Sequence, residues 1–306
     1  MPSKALATSI CGIELRNPVI AASGTFAYGI EFEKLLDLKA IGGFVVKGLS
    51  REPIQGNPEP RVIETASGMM NSIGLQNIGV RAFVKEKLPA LSRFETPVFA
   101  NVFGYQVEDY VEVARVLEDH AGLEAYELNV SCPNTCHGGI FFSSDPGLLA
   151  EVVSAVKRVA KRPVWVKLSP NVSAIEPLAL AAEAAGADGI SLVNTFIALA
   201  IDAKSRRPRI GAGMGGLSGP AIKPIALRMV WQAAKAVKIP VIGLGGIASG
   251  EDAAEFLIAG AQAVQVGTAS FWDPGSVARI AKELGAFLQR EGIASVRELV
   301  GTLRQN

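Results

Sequence analysis

Eight short runs of β-branched or apolar residues, each closed by glycine or a polar residue, recur along the 306-residue chain, separated mostly by amphipathic helical patterns. They are Val19 to Ala21, Phe44 to Lys47, Val98 to Val102, Tyr126 to Val130, Val164 to Leu168, Ile190 to Asn194, Val241 to Leu244 and Val264 to Gly267. Strand runs alternating with helices imply βα units and a parallel sheet. Eight of them predict an α/β fold, a (β/α)8 TIM barrel, and a barrel of roughly 250 residues or more is commonly one domain, here 1–306. The helical spacing is clearest over Val107 to His120, Pro146 to Ala160, Pro220 to Val237 and Glu251 to Ala259, which would form the outer ring. Two connections, Gly48 to Pro97 and Thr195 to Pro240, far exceed the usual ~2–6 residues. Even with a helix subtracted from each, long inserted segments remain over the C-terminal mouth. Their Gly- and Pro-rich parts, Pro53 to Pro60 and Gly211 to Gly219, read as lids or binding loops.

The composition, 49% hydrophobic and 19% charged, excludes a disordered chain and supplies a sizeable core. Thirty Lys and Arg against 29 Asp and Glu leave a net charge of +1, so no global field attracts nucleic acid or an anionic membrane. A local phosphate site is compatible with that balance. Three cysteines, Cys11, Cys132 and Cys136, are too few and too odd for a disulfide framework and fit a reducing, cytoplasmic compartment. The stretch from Lys4 to Ile13 is diluted by Thr8, Ser9 and Cys11 and does not read as a signal peptide. The longest apolar uncharged run, Gly189 to Ile201, falls short of the ~20 residues of a spanning helix, so no membrane anchor is expected.

In this fold catalytic groups sit at the C-terminal strand ends, and a phosphate commonly binds after strands seven and eight. The second run ends at Lys47, the third contains Asn101, the fourth carries Asn129 and leads to Cys132, the fifth holds Lys167, and the sixth reaches Asn194 and Thr195. The seventh and eighth end instead in Gly245-Gly246 and Gly267-Thr268, whose backbone N–H groups can approach an anion closely. Polar side chains on strands two to six with glycines on seven and eight suggest an organic ligand with a phosphate tail. One Lys or Asn at a strand end is usually a solvated turn residue; five in register are harder to dismiss. Lys47 and Lys167 follow hydrophobic residues, where an unpaired ammonium is costly, so each is expected to face an anionic partner.

Gly243 to Ala248 also matches a loose G-x-G-x-x-A pattern, but the next strand ends at Gly267-Thr268 rather than in the acidic residue a dinucleotide site needs. A mononucleotide phosphate grip fits better. The sharpest local feature is Asn129-Val130-Ser131-Cys132-Pro133-Asn134. A structural cysteine is normally buried among apolar groups, whereas Cys132 sits among Ser, Pro and Asn just after a mouth-lining strand, which favours a reactive thiol. Cys132, Cys136 and His137 do not have metal-ligand spacing, and no metal is expected. With only two histidines in the chain, the acid–base group available at the mouth is the thiol itself.

These motifs, with Met69 to Asn77, Val166 to Asn171 and Gly216 to Ala221, closely resemble the dihydroorotate dehydrogenase family from about Leu15 onward. The Ile-Gly-Leu-Gln-Asn run and the Asn-Thr-Phe segment followed by Ala200-Ile201-Asp202 look like the class 1B catalytic subunit. The resemblance implies FMN held by Ser23, Lys47, Gly48, Asn101, Asn129, Lys167, Val193, Gly219, Gly245, Gly246, Gly267 and Thr268. It implies dihydroorotate held by Lys47, Asn71, Ser72, Ile73, Gly74, Leu75, Asn129, Asn134, Asn194 and Thr195. Cys132 would be the base that removes the C5 proton while hydride passes from C6 to FMN, yielding orotate for pyrimidine (UMP) biosynthesis. Two stretches depart from the family pattern, Phe141 to Ser144 and Ala212 to Met214, and neither touches a carried-over residue.

Class 1B resemblance further implies a partner, an electron-transfer subunit carrying FAD and a [2Fe–2S] cluster that passes electrons to NAD, in a heterotetramer of two catalytic and two electron-transfer chains. This chain lacks a dinucleotide fingerprint and the four thiolates such a cluster usually requires. The competing readings are a class 1A-like enzyme that reduces fumarate, a reductase that runs the same chemistry toward another pyrimidine, similar to dihydropyrimidine dehydrogenase, and a non-redox phosphate-binding barrel lyase.

Overall fold

A computed structural model describes residues 4–130 and 139–304. The eight runs form parallel strands in chain order: β1 (Val19–Ala21), β2 (Gly43–Val45), β3 (Val98–Val102), β4 (Ala125–Asn129), β5 (Val164–Lys167), β6 (Gly189–Leu192), β7 (Val241–Leu244) and β8 (Ala263–Val266). Each pairs with the next, and β8 returns to β1 with Val264 opposite Val19, so the sheet closes as a barrel. Every residue of these strands is buried, because helices cover the outer face and side chains fill the inner one.

The helical stretches fold as Val107–Glu118, Pro146–Lys157, Lys223–Ala236 and Gly250–Ile258, the third preceded by a 3-10 turn at Pro220–Ile222. Val107–Glu118 buries Tyr110, Val113, Ala114 and Leu117, one stripe at helical spacing. Its first turn is closed by a reciprocal pair of hydrogen bonds between Gln106 and Asp109, as Ser249 and Asp252 close that of Gly250–Ile258.

The lower end of the barrel is stoppered by a hairpin of Thr8–Ile10 and Ile13–Leu15. Cys11 and Gly12 turn it with φ of 50° and 80°, the two-residue geometry whose twist suits paired strands. Ile10 and Leu15 pack there on Ile20, Val45, Phe99, Ala125, Trp165, Ile242 and Ala263. Side chains alternate along a strand, so the residues two positions further on point inward one layer higher. At Phe99, Ala125, Trp165 and Ala263 those residues are Asn101, Glu127, Lys167 and Gln265, all buried. The interior therefore changes from apolar to polar on the way to the C-terminal mouth.

The two long insertions join in one four-stranded antiparallel sheet, in the order Phe196–Leu199, Met214–Ser218, Gly68–Asn71, Val62–Thr65. Gly216 lies opposite Asn71, so segments about 145 positions apart pair edge to edge. Of the two stretches read as lids, Gly211 to Gly219 contributes a strand of this sheet. Pro53 to Pro60 instead braces the loop after Asn71: the Asn57 N–H donates to the Ile73 carbonyl at 3.0 Å, and the Asn57 amide donates to the Ser72 hydroxyl at 2.8 Å. Among the described residues no helix is long and apolar enough to cross a membrane.

Candidate active site

A cavity of about 320 Å³ opens at the C-terminal ends of the strands, between the barrel and the inserted sheet. Its wall includes Ser23, Lys47, Gly48, Asn101, Asn129, Lys167, Val193, Gly219, Gly245, Gly246, Gly267 and Thr268, so all twelve positions assigned to the cofactor meet in one space. Asn71, Ile73, Gly74, Leu75, Asn194 and Thr195 line it as well. Ser72 does not; it is buried and accepts a hydrogen bond from Asn57. Cys132 and Asn134, with Cys136 and His137, lie outside the described residues.

At one end Gly245 and Gly246 follow β7 with φ of 127° and 82°, a region that disfavours side chains. A Cβ on Gly246 would stand 2.8 Å from Lys223 Cβ and 2.9 Å from the Gly219 carbonyl oxygen, so the turn is seated against the start of the Lys223–Ala236 helix. Lys223 is held there by Asp252 at 2.5 Å and Glu255 at 2.9 Å. Burial works against its ammonium, but these two carboxylates outweigh it and raise the pKa. Gly267 and Thr268 follow β8 beside this turn, and the Thr268 hydroxyl donates to Ser218 at 2.8 Å, tying the strand end to the inserted sheet. The result is a concave backbone surface suited to an anion.

The floor is a buried polar network centred on Glu127, which is fully inaccessible to solvent. Its carboxylate accepts from Asn101 Nδ2 at 2.8 Å, Ser191 Oγ at 2.8 Å and Gln265 Nε2 at 2.6 Å, and lies 3.6 Å from Lys167 Nζ. The anionic partner expected for Lys167 is thus a residue of the same chain, because β4 and β5 are neighbours and bring the two side chains to adjacent positions inside the barrel. Sequence reading missed Glu127 and Gln265. The available signal was the period of two: Glu127 follows Ala125, and Gln265 follows Ala263, at positions that face the barrel interior.

At the other end the strand Gly68–Asn71 delivers Asn71 to the mouth, and the loop behind it turns through Gly74 and Leu75 at φ of 70° and 59°. Asn194 donates to Asn129 Oδ1 at 3.5 Å and accepts from the Thr195 N–H at 2.9 Å. These amides and hydroxyls form a patterned hydrogen-bonding wall that suits a planar polar substrate. Among the described residues, the cavity wall carries the ammonium groups of Lys47 and Lys167 but no carboxylate, imidazole or thiol. Cys11 belongs to the opposite end of the barrel: burial first, and then the charge of Asp188, push its thiol up to about 12. Its Sγ donates to the Asp188 carbonyl at 3.2 Å. Among the described residues no group of three or more His, Cys, Asp or Glu could hold a metal.

A closed barrel of eight parallel strands with its cavity at the C-terminal strand ends, walled by glycines, lysines and amides, defines a (β/α)8 barrel with the site placement of the enzymes of that fold. More specifically, the chain belongs to the dihydroorotate dehydrogenase family, whose model matches residues 5–288. It is 77% identical over 299 residues, 98% of each chain, to a Solibacter usitatus protein provisionally named dihydroorotate dehydrogenase A (fumarate). It is 55% identical over 298 residues to a Geobacter sulfurreducens protein and 53% over 298 residues to one from Geobacter sp. strain M21, covering 97% of this chain and 98% of each relative. Both are named dihydroorotate dehydrogenase B (NAD(+)), catalytic subunit.

Proposed function

We propose that the chain catalyses the FMN-dependent oxidation of (S)-dihydroorotate to orotate, in the manner of a class 1B catalytic subunit. The observation that carries this reading is the convergence, in a member of this family, of the glycine cradle, the amide-bearing loop at Asn71 to Leu75 and two lysines on one cavity. The residues fit FMN on two independent grounds. The cradle at Gly245-Gly246 and Gly267-Thr268 suits its phosphate. Asn101 Oδ1 and Gln265 Oε1 are buried acceptors on the cavity residues with no protein partner, and they suit a ring N–H.

FMN, when bound, supplies the hydride acceptor. The chain's own residues then do the following. Asn71, Asn129, Asn194 and Thr195 hold the planar substrate through hydrogen bonds, which fixes the reacting carbons in one orientation. Lys47 supplies a cation for an anionic ligand. Asn134 joins the substrate-binding set, as do Ile73, Gly74 and Leu75, while Ser72, which does not line the cavity, holds the loop through its hydrogen bonds with Asn57. The thiolate of Cys132 takes the C5 proton as the C6 hydride departs, so the new C5–C6 double bond draws its electron pair from the broken C5–H bond. Lys167 adds positive charge at the floor, where negative charge grows on reduction.

The electrons leave through a partner subunit carrying FAD and a [2Fe–2S] cluster, which passes them to NAD in a complex of two catalytic and two electron-transfer chains. Fumarate reduction by the chain alone is the second reading, favoured by the name of the relative at 77% identity. An acceptor assay separates them. With dihydroorotate, the isolated chain should reduce an artificial dye, and should reduce NAD only once the electron-transfer subunit is added. Robust turnover with fumarate in place of NAD would overturn the class 1B reading in favour of the second.

A further inference from the structure

We infer that Glu127 is a positioning residue for the flavin ring: its carboxylate fixes the orientation of the Asn101 and Gln265 amides and thereby presents two carbonyl oxygens to the cofactor. The inference rests on the flavin reading above. A carboxylate can only accept hydrogen bonds, so the nitrogens of both amides must face Glu127. They do, at 2.8 Å from Asn101 Nδ2 to Oε1 and 2.6 Å from Gln265 Nε2 to Oε2. The carbonyl oxygens Asn101 Oδ1 and Gln265 Oε1 are consequently turned away from the carboxylate. Both are buried without a partner in the protein, and both residues line the cavity.

Stability alone does not account for this arrangement. The layer directly below is filled by Phe99, Ala125, Trp165 and Ala263 at the same inward positions, and an apolar layer above would avoid burying a charge and two unmet acceptors. The network instead draws on five strands: Asn101 from β3, Glu127 from β4, Lys167 from β5, Ser191 from β6 and Gln265 from β8. The Ser191 hydroxyl occupies a further acceptor site on Oε2, and Lys167 at 3.6 Å from Oε1 balances the charge. A ligand that donates to this floor therefore meets preset acceptors and has no amide to reorient on binding. By the same geometry Glu127 offsets the charge of Lys167, so it also sets how strongly the site favours a reduced, electron-rich ring.

The isosteric variant Glu127→Gln tests this directly. The two amides donate to different oxygens, Oε1 and Oε2, and a glutamine replaces one of these by a donating nitrogen, so the amide facing that nitrogen must turn its own nitrogen toward the cavity. FMN titrated into the apoprotein, followed by flavin fluorescence, should bind at least about tenfold more weakly, the ~1.4 kcal/mol expected for one mismatched buried hydrogen bond. The reduction potential of the bound FMN should shift to more positive values, because Lys167 keeps its charge and loses its counterion. Gln265→Met removes a single acceptor at similar volume and should weaken FMN binding while leaving Glu127 in place. A folded Glu127→Gln protein with wild-type FMN affinity and potential would overturn the inference. If that variant does not fold, wild-type FMN affinity in Gln265→Met would overturn it equally. A wild-type chain that takes up no FMN would instead refute the flavin reading itself, which is a separate result.

Discussion

Replacing Gly246 by alanine should detach the cofactor while leaving the barrel folded. The added Cβ meets two costs. At φ of 82° an L side chain costs roughly 1–2 kcal/mol. The Cβ would also lie 2.8 Å from Lys223 Cβ and 2.9 Å from both the Lys223 nitrogen and the Gly219 oxygen. Those atoms cannot retreat cheaply, because the helix they begin buries Ala226, Met229, Val230 and Ala233 in the core. Overpacking of this kind adds ~1–3 kcal/mol. If the turn relieves both by moving out of its cradle geometry, holding it in place for the phosphate costs about 2–5 kcal/mol, a roughly thirty- to several-thousand-fold loss of FMN affinity. Gly213 offers the matched control, since its φ is 85° but a Cβ there meets nothing within 4 Å. Gly213→Ala should lower the melting temperature slightly and leave FMN affinity unchanged. The assay is FMN titration of both apoproteins, with circular dichroism to report the fold. Full FMN affinity in Gly246→Ala would refute the placement of the phosphate.

Three further outcomes are expected. Cys132→Ala should keep FMN and orotate binding but lose ~10²–10⁴-fold in the rate of flavin reduction, measured by stopped flow, and a near-wild-type rate would remove the thiol from the mechanism. Lys167→Met leaves Glu127 buried without its counterion at 3.6 Å and should cost ~3–5 kcal/mol in urea denaturation, whereas a loss under ~1 kcal/mol would mean the pair does not matter to the fold. Burial works against the charge of Asp252, but the hydrogen bonds from Lys223 and the Ala248 N–H outweigh it and hold the carboxyl below the usual range. Its stabilisation is therefore present above the unfolded-state value of ~3.9 and disappears as pH falls through the lower folded value, so Asp252→Asn should be destabilised at pH 7 and converge with wild type in acid.

The barrel could be read from sequence because its strands are buried on both faces and appear as apolar runs bounded by glycine or polar residues. All eight runs became barrel strands. That Gly245, Gly246, Gly267 and Thr268 meet on one cavity was readable for a related reason: glycines at the ends of the seventh and eighth strands stand out against the Lys and Asn that end the others. The inserted sheet was not readable. Its strands span four or five residues, and its central pairing, Asn71 with Gly216, joins segments far apart in the chain, so neither partner carries a local signal of the other. The polar floor was hidden differently. Lys167 was recognised as needing an anion, but that anion, Glu127, comes from the neighbouring strand β4, and only closure of the barrel brings Gln265 of β8 to its second oxygen while Asn101 of the adjacent β3 meets the first.

The most direct measurement is an anaerobic half-reaction. The purified chain should carry FMN and be yellow. Mixed without oxygen or any acceptor, it should lose its visible flavin band with dihydroorotate, releasing orotate in proportion to the flavin reduced, and should keep the band with dihydrouracil, which lacks the carboxylate. A colourless chain that takes up no FMN, or a flavin that dihydroorotate leaves oxidised, would contradict the assignment.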